Sequence, residues 1–423
     1  MGNSQSQTSK TIKQDDTEES EGLDFHKAKN KSPPNPSLPP SPIYTSNDAH
    51  NTKTIIVNGR RYQNFNTKYI LPNDDEEQDR LVQAHFIYKH LFNGNFSAPV
   101  RGLLSGPVSS ARRGSSGSSQ SNWEDLPPPR VLDLGCGNGT WILEMATEFK
   151  HAHFYGIDIS PNYPTAIKPP NTFFIQYDIL NPKGLPFPDS YFDYVFMRQV
   201  YTCFSSLDWT TVVREIKRVV KPGGFVEFRD IDPILKNIGP TTYKLFEKFP
   251  ETMKNNYDVD VDWAKNMYSC LQKVGQMTDM HQIVRMLRSG NSGPICHTMN
   301  NSLKSGLNSY RYFFQKNYNL SSEEYDKITE KVVNEAIDYH SYFSYFNCWG
   351  RKPLYDCHLA QSIKIQPNPL EQNRLQTNSN HRASFNLPPS PTSLGDIQSS
   401  DENHIFGQDS VSDINQFIQG YED

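Results

Sequence analysis

The chain has 423 residues, of which 35% are hydrophobic, too few for a protein of this size packed throughout, so part of it is expected to be unfolded. Its 42 basic and 47 acidic residues leave a net charge of −5, which gives no electrostatic footprint for DNA or RNA, and nucleic acid is not an expected partner. Six cysteines (Cys136, Cys203, Cys270, Cys296, Cys348, Cys357) lie scattered with no C-x-x-C spacing, which argues against a disulfide framework or a zinc site and for reduced thiols in a cytoplasmic or nuclear setting. No apolar run of about 18 residues and no secretory h-region is present, so a soluble protein is expected.

Met1-Gly2-Asn3-Ser4-Gln5-Ser6 fits the pattern for myristoylation at Gly2. The acidic stretch Asp15-Asp16-Thr17-Glu18-Glu19 follows it, so a single acyl chain would give only weak membrane association. Residues 1–52 are polar and proline-punctuated and read as a disordered tail, as do residues 356–423, leaving one domain over 53–355. Ser32, Ser41 and Ser390 each precede a proline, a spacing that suits proline-directed phosphorylation but also arises by composition. Asn73 followed by Asp74, Asp75, Glu76 and Glu77 predicts a helical element over 73–92 with Asn73 as its cap. Leu81, Ala84, Tyr88 and Phe92 share one face of it, to pack on the main domain or to act as a lid. The serine- and glycine-rich stretch 105–121 reads as a flexible loop.

After Pro129, short apolar runs alternate with amphipathic stretches. Strands are predicted over 130–134, 154–157, 173–177, 194–197 and 225–228, with helices over 140–149 and 209–220, an α/β domain with a mainly parallel sheet. A helical insertion is placed over 231–275, whose Tyr243, Phe246, Phe249, Tyr257, Trp263 and Tyr268 could roof an apolar pocket or simply pack the helices together. Residues 341–352 read as a last strand closing the sheet.

The strongest motif is Val131-Leu132-Asp133-Leu134-Gly135-Cys136-Gly137-Asn138-Gly139-Thr140, a strand entering a glycine-rich turn and then a helix. Glycines let a ligand approach the backbone, and the N–H groups opening the helix favour negative charge. A dinucleotide fold would want G-x-G-x-x-G; the spacing here is G-x-G-x-G. Asp133 lies two residues before the first glycine, where it would oppose a pyrophosphate but pair with a cationic amino group, which points to S-adenosylmethionine rather than a nicotinamide dinucleotide.

With these residues the chain resembles the class I S-adenosylmethionine-dependent methyltransferases, a Rossmann-like fold with a mainly parallel sheet and an antiparallel last strand. The resemblance implies that Asp158, closing Tyr155-Gly156-Ile157-Asp158, accepts from both ribose hydroxyls with Ile159 beside it, and that Asp178 and the backbone of Ile179 read the adenine edge. Phe192-Asp193-Tyr194-Val195 and Arg214 to Gly224 match the fourth strand and the helix and turn before the fifth; Asp193 and Lys221-Pro222-Gly223-Gly224 are read as scaffold. The candidate cofactor residues are Asp133, Gly135, Cys136, Gly137, Gly139, Asp158, Ile159, Asp178, Ile179 and Arg198, though Arg198 could equally form a plain ion pair. A closer resemblance, over roughly residues 54–355, is to the fungal LaeA-like group, which includes regulators of secondary metabolism. It is carried by Gly59-Arg60-Arg61-Tyr62, Tyr69-Ile70-Leu71-Pro72-Asn73-Asp74, Glu77-x-Asp79-Arg80-Leu81, Asp208-Trp209 and Gly350-Arg351-Lys352-Pro353.

Methyl transfer from a sulfonium needs positioning above all, and a general base only for an acceptor protonated at neutral pH. Arg198, Gln199 and Tyr201 after the fourth strand, and Glu227, Arg229 and Asp230 in and after the fifth, should face the methyl group; none is assigned a catalytic role. The histidines at 281, 297, 340 and 358 show no metal-ligand spacing, and no metal is expected. The expected function is methyl transfer from S-adenosylmethionine to a small-molecule or protein acceptor; the alternative is a non-catalytic or weakly active regulatory protein of the LaeA type acting through partner binding.

Overall fold

A computed structural model of the chain describes residues 54–63, 68–106 and 127–354. The chain divides into two units, Met1–Tyr44 and Thr45–Asp423, and every described residue belongs to the second. The acylation motif at Gly2, the phosphorylation candidates, both expected tails and the serine-rich loop from residue 107 onward lie outside the described residues.

A hairpin that the sequence reading did not assign opens the described chain: β1 (Thr54–Val57) pairs antiparallel with β2 (Arg60–Gln63). Asn58 and Gly59 between them both have positive φ, 53° and 79°, the conformation a two-residue hairpin turn requires. Helix α1 (Asp75–Leu91) follows, and its cap is Asp74 rather than Asn73: Oδ1 of Asp74 accepts from the Glu77 N–H at 3.1 Å. Asn73 is still in extended chain, with its N–H donated to the Arg61 carbonyl and its side chain engaged by Asn162. A short helix, α2 (Arg101–Ser105), stands where the flexible loop was expected to begin.

The α/β core then runs β3 (Arg130–Leu134), α3 (Thr140–Glu148), β4 (His153–Asp158), β5 (Thr172–Gln176), β6 (Phe192–Arg198), α4 (Ser206–Val219) and β7 (Val220–Lys236). Ser205 and Asp208 form a reciprocal capping box that starts α4. The rest of the chain is α5 (Pro240–Phe246), α6 (Phe249–Tyr257), α7 (Trp263–Lys273), β8 (Thr278–Arg288), α8 (Pro294–Ser309), α9 (Arg311–Tyr318), α10 (Ser322–Asp338) and β9 (Tyr342–Arg351). The insertion is therefore later and larger than the 231–275 reading. Residues 231–236 extend β7, and three further helices follow β8. Pairing with β9 through Asp232↔Ser344 and Lys236↔Tyr342 supplies the partner that draws β7 past the parallel core.

The sheet order is β5-β4-β3-β6-β7-β9-β8. The first five strands are mutually parallel, and β9 enters antiparallel between β7 and β8. From β3 the chain first builds outward through β4 and β5, then returns to the other side of β3 with β6, which makes β3 the switch point where such sheets open a ligand crevice at their carboxyl ends. One face of the core packs on α4 and α7 through Leu132, Val195, Trp209, Ile216, Trp263 and Met267; the other packs on α2 and α3 through Val131, Phe154, Trp141, Met145 and Leu104. A third apolar cluster joins α1 to the late helices and to the overhanging ends of β7, β8 and β9, through Tyr88, Leu235, Leu287 and Tyr345.

Trp209 and Trp263 stack with centroids 3.4 Å apart and an interplanar angle of 4°, both almost fully buried. This pair fastens α7 to α4. Trp263→Ala is expected to cost about 3–5 kcal/mol of stability, measured by urea unfolding, and a change within experimental error would show that the insertion is not anchored through it.

Candidate functional site

The glycine turn leaves β3 at the switch point. Gly135 and Gly139 have φ of 71° and 76°, and a Cβ would come within 3.0 Å of Val200 Cγ1 at the first and 2.8 Å of Phe174 Cζ at the second. Between them the Gly137 N–H donates to Asp158 Oδ2 at 2.8 Å, while Asp158 Oδ1 accepts from the Ser160 N–H at 2.8 Å. Each carboxylate oxygen keeps a free lone-pair direction for a ligand hydroxyl. Burial pushes the Asp158 carboxyl up, and the backbone N–H groups partly offset it.

A cavity of about 1110 Å³, counting its open mouth, lies at this edge of the sheet. Asp133, Gly135, Cys136, Gly137, Asp158, Ile159, Asp178, Ile179 and Arg198 all line it. Gly139, the remaining candidate, does not; it is buried against Phe174 and sets the start of α3. Asp178 is exposed at the rim, with Oδ1 accepting from the Leu180 N–H at 2.9 Å.

Two lining charges stand out. Asp133 is 4% exposed, and its carboxylate has neither hydrogen bond nor ion pair among the described residues; burial pushes it up to about 8, with Arg198 opposing and Asp158 reinforcing the rise. Arg198 faces the same cavity with no carboxylate within ion-pair distance among the described residues, so the plain ion pair left open by the sequence is not formed. Burial lowers it to about 10, which leaves it cationic at neutral pH. The next residue, Gln199, holds a φ of 56°, unusual for a non-glycine residue, and its side chain also lines the cavity.

Glu227, Arg229 and Asp230 do not face the cavity as the sequence reading placed them. Glu227 is fully buried, accepts from the N–H groups of Ser97 and Ala98 and from Tyr194 Oη, and pairs with Arg229 at 2.9 Å. Asp230 accepts from the Val200 N–H at 3.2 Å and so steadies the turn after β6 from behind. These groups turn inward because the extension of β7 places them between β6 and β9 rather than at a strand end. Tyr201 likewise turns away and bonds Tyr310 Oη at 2.9 Å. Asp193, read as scaffold, pairs with Lys221 at 2.7 Å and accepts from the Arg130 N–H.

The N-terminal segment supplies a wall through Gln63, Tyr69, Pro72, Asn73, Gln78 and Leu81, none of them among the candidate site residues, although a lid was one of the two roles open to the 73–92 helix. Arg60 grips Asp74 through two hydrogen bonds of 2.7 and 2.8 Å, Ser160 Oγ donates to Gln63, and Lys68 bridges Asp208 and Asp258. The segments Gly59 to Tyr62, Tyr69 to Asp74 and Asp208-Trp209, which carry the LaeA-like resemblance, are the parts that assemble this wall, and that resemblance was the signal that could have found it.

Comparison with known proteins agrees with this architecture. Residues 131–224 match the family model for a methyltransferase domain. A protein-methionine methyltransferase, laeA, of Emericella nidulans is 29% identical over 198 residues, covering 45% of this chain and 44% of its own length. The secondary metabolism regulator LAE1 of Cochliobolus heterostrophus is 31% identical over 180 residues, 42% of this chain and 50% of its own. Among solved structures, a sarcosine dimethylglycine methyltransferase from Galdieria sulphuraria aligns at 14% identity and a TM-score of 0.33, over 54% of this chain and 79% of that one. The chain spans about half the length of the curated relatives it matches. The strand order, the glycine turn at the switch point and the match over residues 131–224 identify a methyltransferase domain of the class I type, and the chain is similar to the LaeA-like proteins.

Proposed function

We propose that the chain transfers the methyl group of S-adenosylmethionine to an acceptor that attacks without losing a proton first, such as a thioether or a neutral amine. When bound, S-adenosylmethionine supplies an electrophilic methyl on a cationic sulfur. The fit rests on two lining groups that have no ion-pair partner among the described residues: Asp133, which can ionise beside an ammonium, and Arg198, which suits the carboxylate of an amino-acid moiety. Asp158 and Asp178 are then left for the ribose and adenine.

The observation that carries the acceptor class is the rest of the lining. It contains no histidine, lysine or glutamate among the described residues. Burial pushes the thiols of Cys136 and Cys203 and the phenol of Tyr69 up, so none is a base at neutral pH. With Asp133, Asp158 and Asp178 engaged by the cofactor, an alcohol or phenol acceptor would find no group to take its proton. The printed name of the Emericella nidulans relative, a protein-methionine methyltransferase, supports a thioether. A second reading, a regulator that binds the cofactor and partners with little turnover, draws on relatives named as secondary metabolism regulators.

Peptides presenting methionine, lysine or serine, incubated with the protein and S-adenosylmethionine, test the acceptor class by release of S-adenosylhomocysteine and by mass. Transfer to methionine is expected; transfer confined to serine, or to lysine, whose ammonium must lose a proton before it attacks, would overturn the reading, and binding without any turnover would favour the regulator. In calorimetric titrations the wild type should bind S-adenosylmethionine and S-adenosylhomocysteine, Gly135→Arg should bind neither, and Asp158→Ala should lose about tenfold or more in affinity. A folded wild type that fails to bind would remove the cofactor reading. Because Asp133 ionises only near 8 in the free protein, a bound ammonium should draw its proton off. Binding at pH 7 is therefore expected to release protons, measured from the dependence of the heat on buffer ionisation enthalpy, and Asp133→Asn should abolish that release.

A further inference from the structure

His85 is a residue of α1 whose ring is completely buried, yet it touches the cavity's cation: Arg198 Nη2 lies 3.2 Å from His85 Nδ1. A guanidinium can only donate, so Nδ1 accepts and the ring proton sits on Nε2. Nε2 in turn lies 3.1 Å from Oε2 of Glu144, a residue of α3, and gives that proton to it as a hydrogen bond. Glu144 is itself fixed by Asn95 Nδ2 at 2.7 Å and Lys89 Nζ at 3.3 Å. Burial holds His85 down at about 4, so the ring is neutral and Nδ1 remains an acceptor at neutral pH. Burial pushes the Glu144 carboxyl up, but the bonds from His85 and Asn95 outweigh it and hold it at about 2, keeping it a carboxylate. The Tyr88 ring backs the guanidinium at 5.6 Å.

We propose that His85 is a positioning residue for recognition of the cofactor's carboxylate: by engaging one N–H of Arg198 behind the cavity wall, it leaves the remaining N–H groups aimed at the ligand. Glu144 sets the tautomer that makes this possible, so α1 and α3 together aim a cation that β6 carries. The inference rests on the reading that the cavity takes S-adenosylmethionine. It differs from an ordinary satisfied core histidine in its consequence, since a purely structural role would affect all ligands of the cavity alike.

The test compares calorimetric affinities for S-adenosylhomocysteine and for its decarboxylated form, which keeps the nucleoside, the thioether and the amine. Wild type is expected to prefer the carboxylated ligand by about tenfold or more. His85→Phe, which fills the space without an acceptor, should lose about tenfold for that ligand and stay within about twofold for the decarboxylated one. His85→Gln, whose amide oxygen can accept from Arg198 and whose amide N–H can reach Glu144, should restore the preference. Equal weakening of both ligands by His85→Phe, or no weakening of either, would overturn the proposal. Equal wild-type affinity for the two ligands would overturn it while leaving the cofactor reading intact, whereas binding of neither by folded wild type would remove both.

Discussion

Asp158 accepts a hydrogen bond from Gly137 with one oxygen and from Ser160 with the other, so a single carboxylate ties the turn after β3 to the loop after β4. The crevice exists because these two strand ends are held at a fixed separation. The Gly135 and Cys136 N–H groups reinforce the arrangement by sharing the Ile157 carbonyl. Substituting the carboxylate would loosen the turn, since hydrogen bonds to a charged acceptor are the stronger kind. On one side of this tie the rim offers Asp178, and on the other the cavity deepens to Asp133 and Arg198.

Those two groups run against the stability of the protein itself. A carboxylate 4% exposed with no hydrogen bond is costly to ionise, and a guanidinium lowered by burial to about 10 is likewise strained toward its neutral form. The fold tolerates both because rigid surroundings hold them: β3 is buried along most of its length, and Arg198 is braced from behind by His85 and Tyr88. Groups held in position before a ligand arrives need little rearrangement when it does, apart from the proton that Asp133 gives up, which is the arrangement electrostatic recognition rewards.

The legible parts of this molecule were those encoded locally. The five parallel strands each hold a short apolar run, well buried in β3, β4 and β6, and the glycine turn begins two residues after Asp133 while Asp158 closes the very next strand. Strand β8 was missed because Thr278 to Arg288 lies at the sheet edge, mostly exposed, with no alternation of apolar and polar residues. The extension of β7 was hidden by Pro233 and by acids at 230 and 232, whose burial depends on partners in β9 more than 100 residues later. Asn73 looked like the better cap until its side chain was taken by Asn162. His85 carried no signal at all, since its role depends on Glu144, 59 residues away, and Arg198, 113 residues away.

Apart from the Arg60–Asp74 pair, the wall contributed by Gln63 and residues 69–81 is synthesised before what it fastens to. Its clamps are Ser160 for Gln63, Asn162 for Asn73, and Asp208 and Asp258 for Lys68, all later in the chain. During synthesis this segment therefore waits, with Tyr69, Ile70 and Leu71 uncovered, until nearly 200 further residues have been added. The N-terminal wall of the crevice can thus close only after the parallel strands have been made, and the interval in which this apolar segment stands open exposes the nascent protein to misassembly.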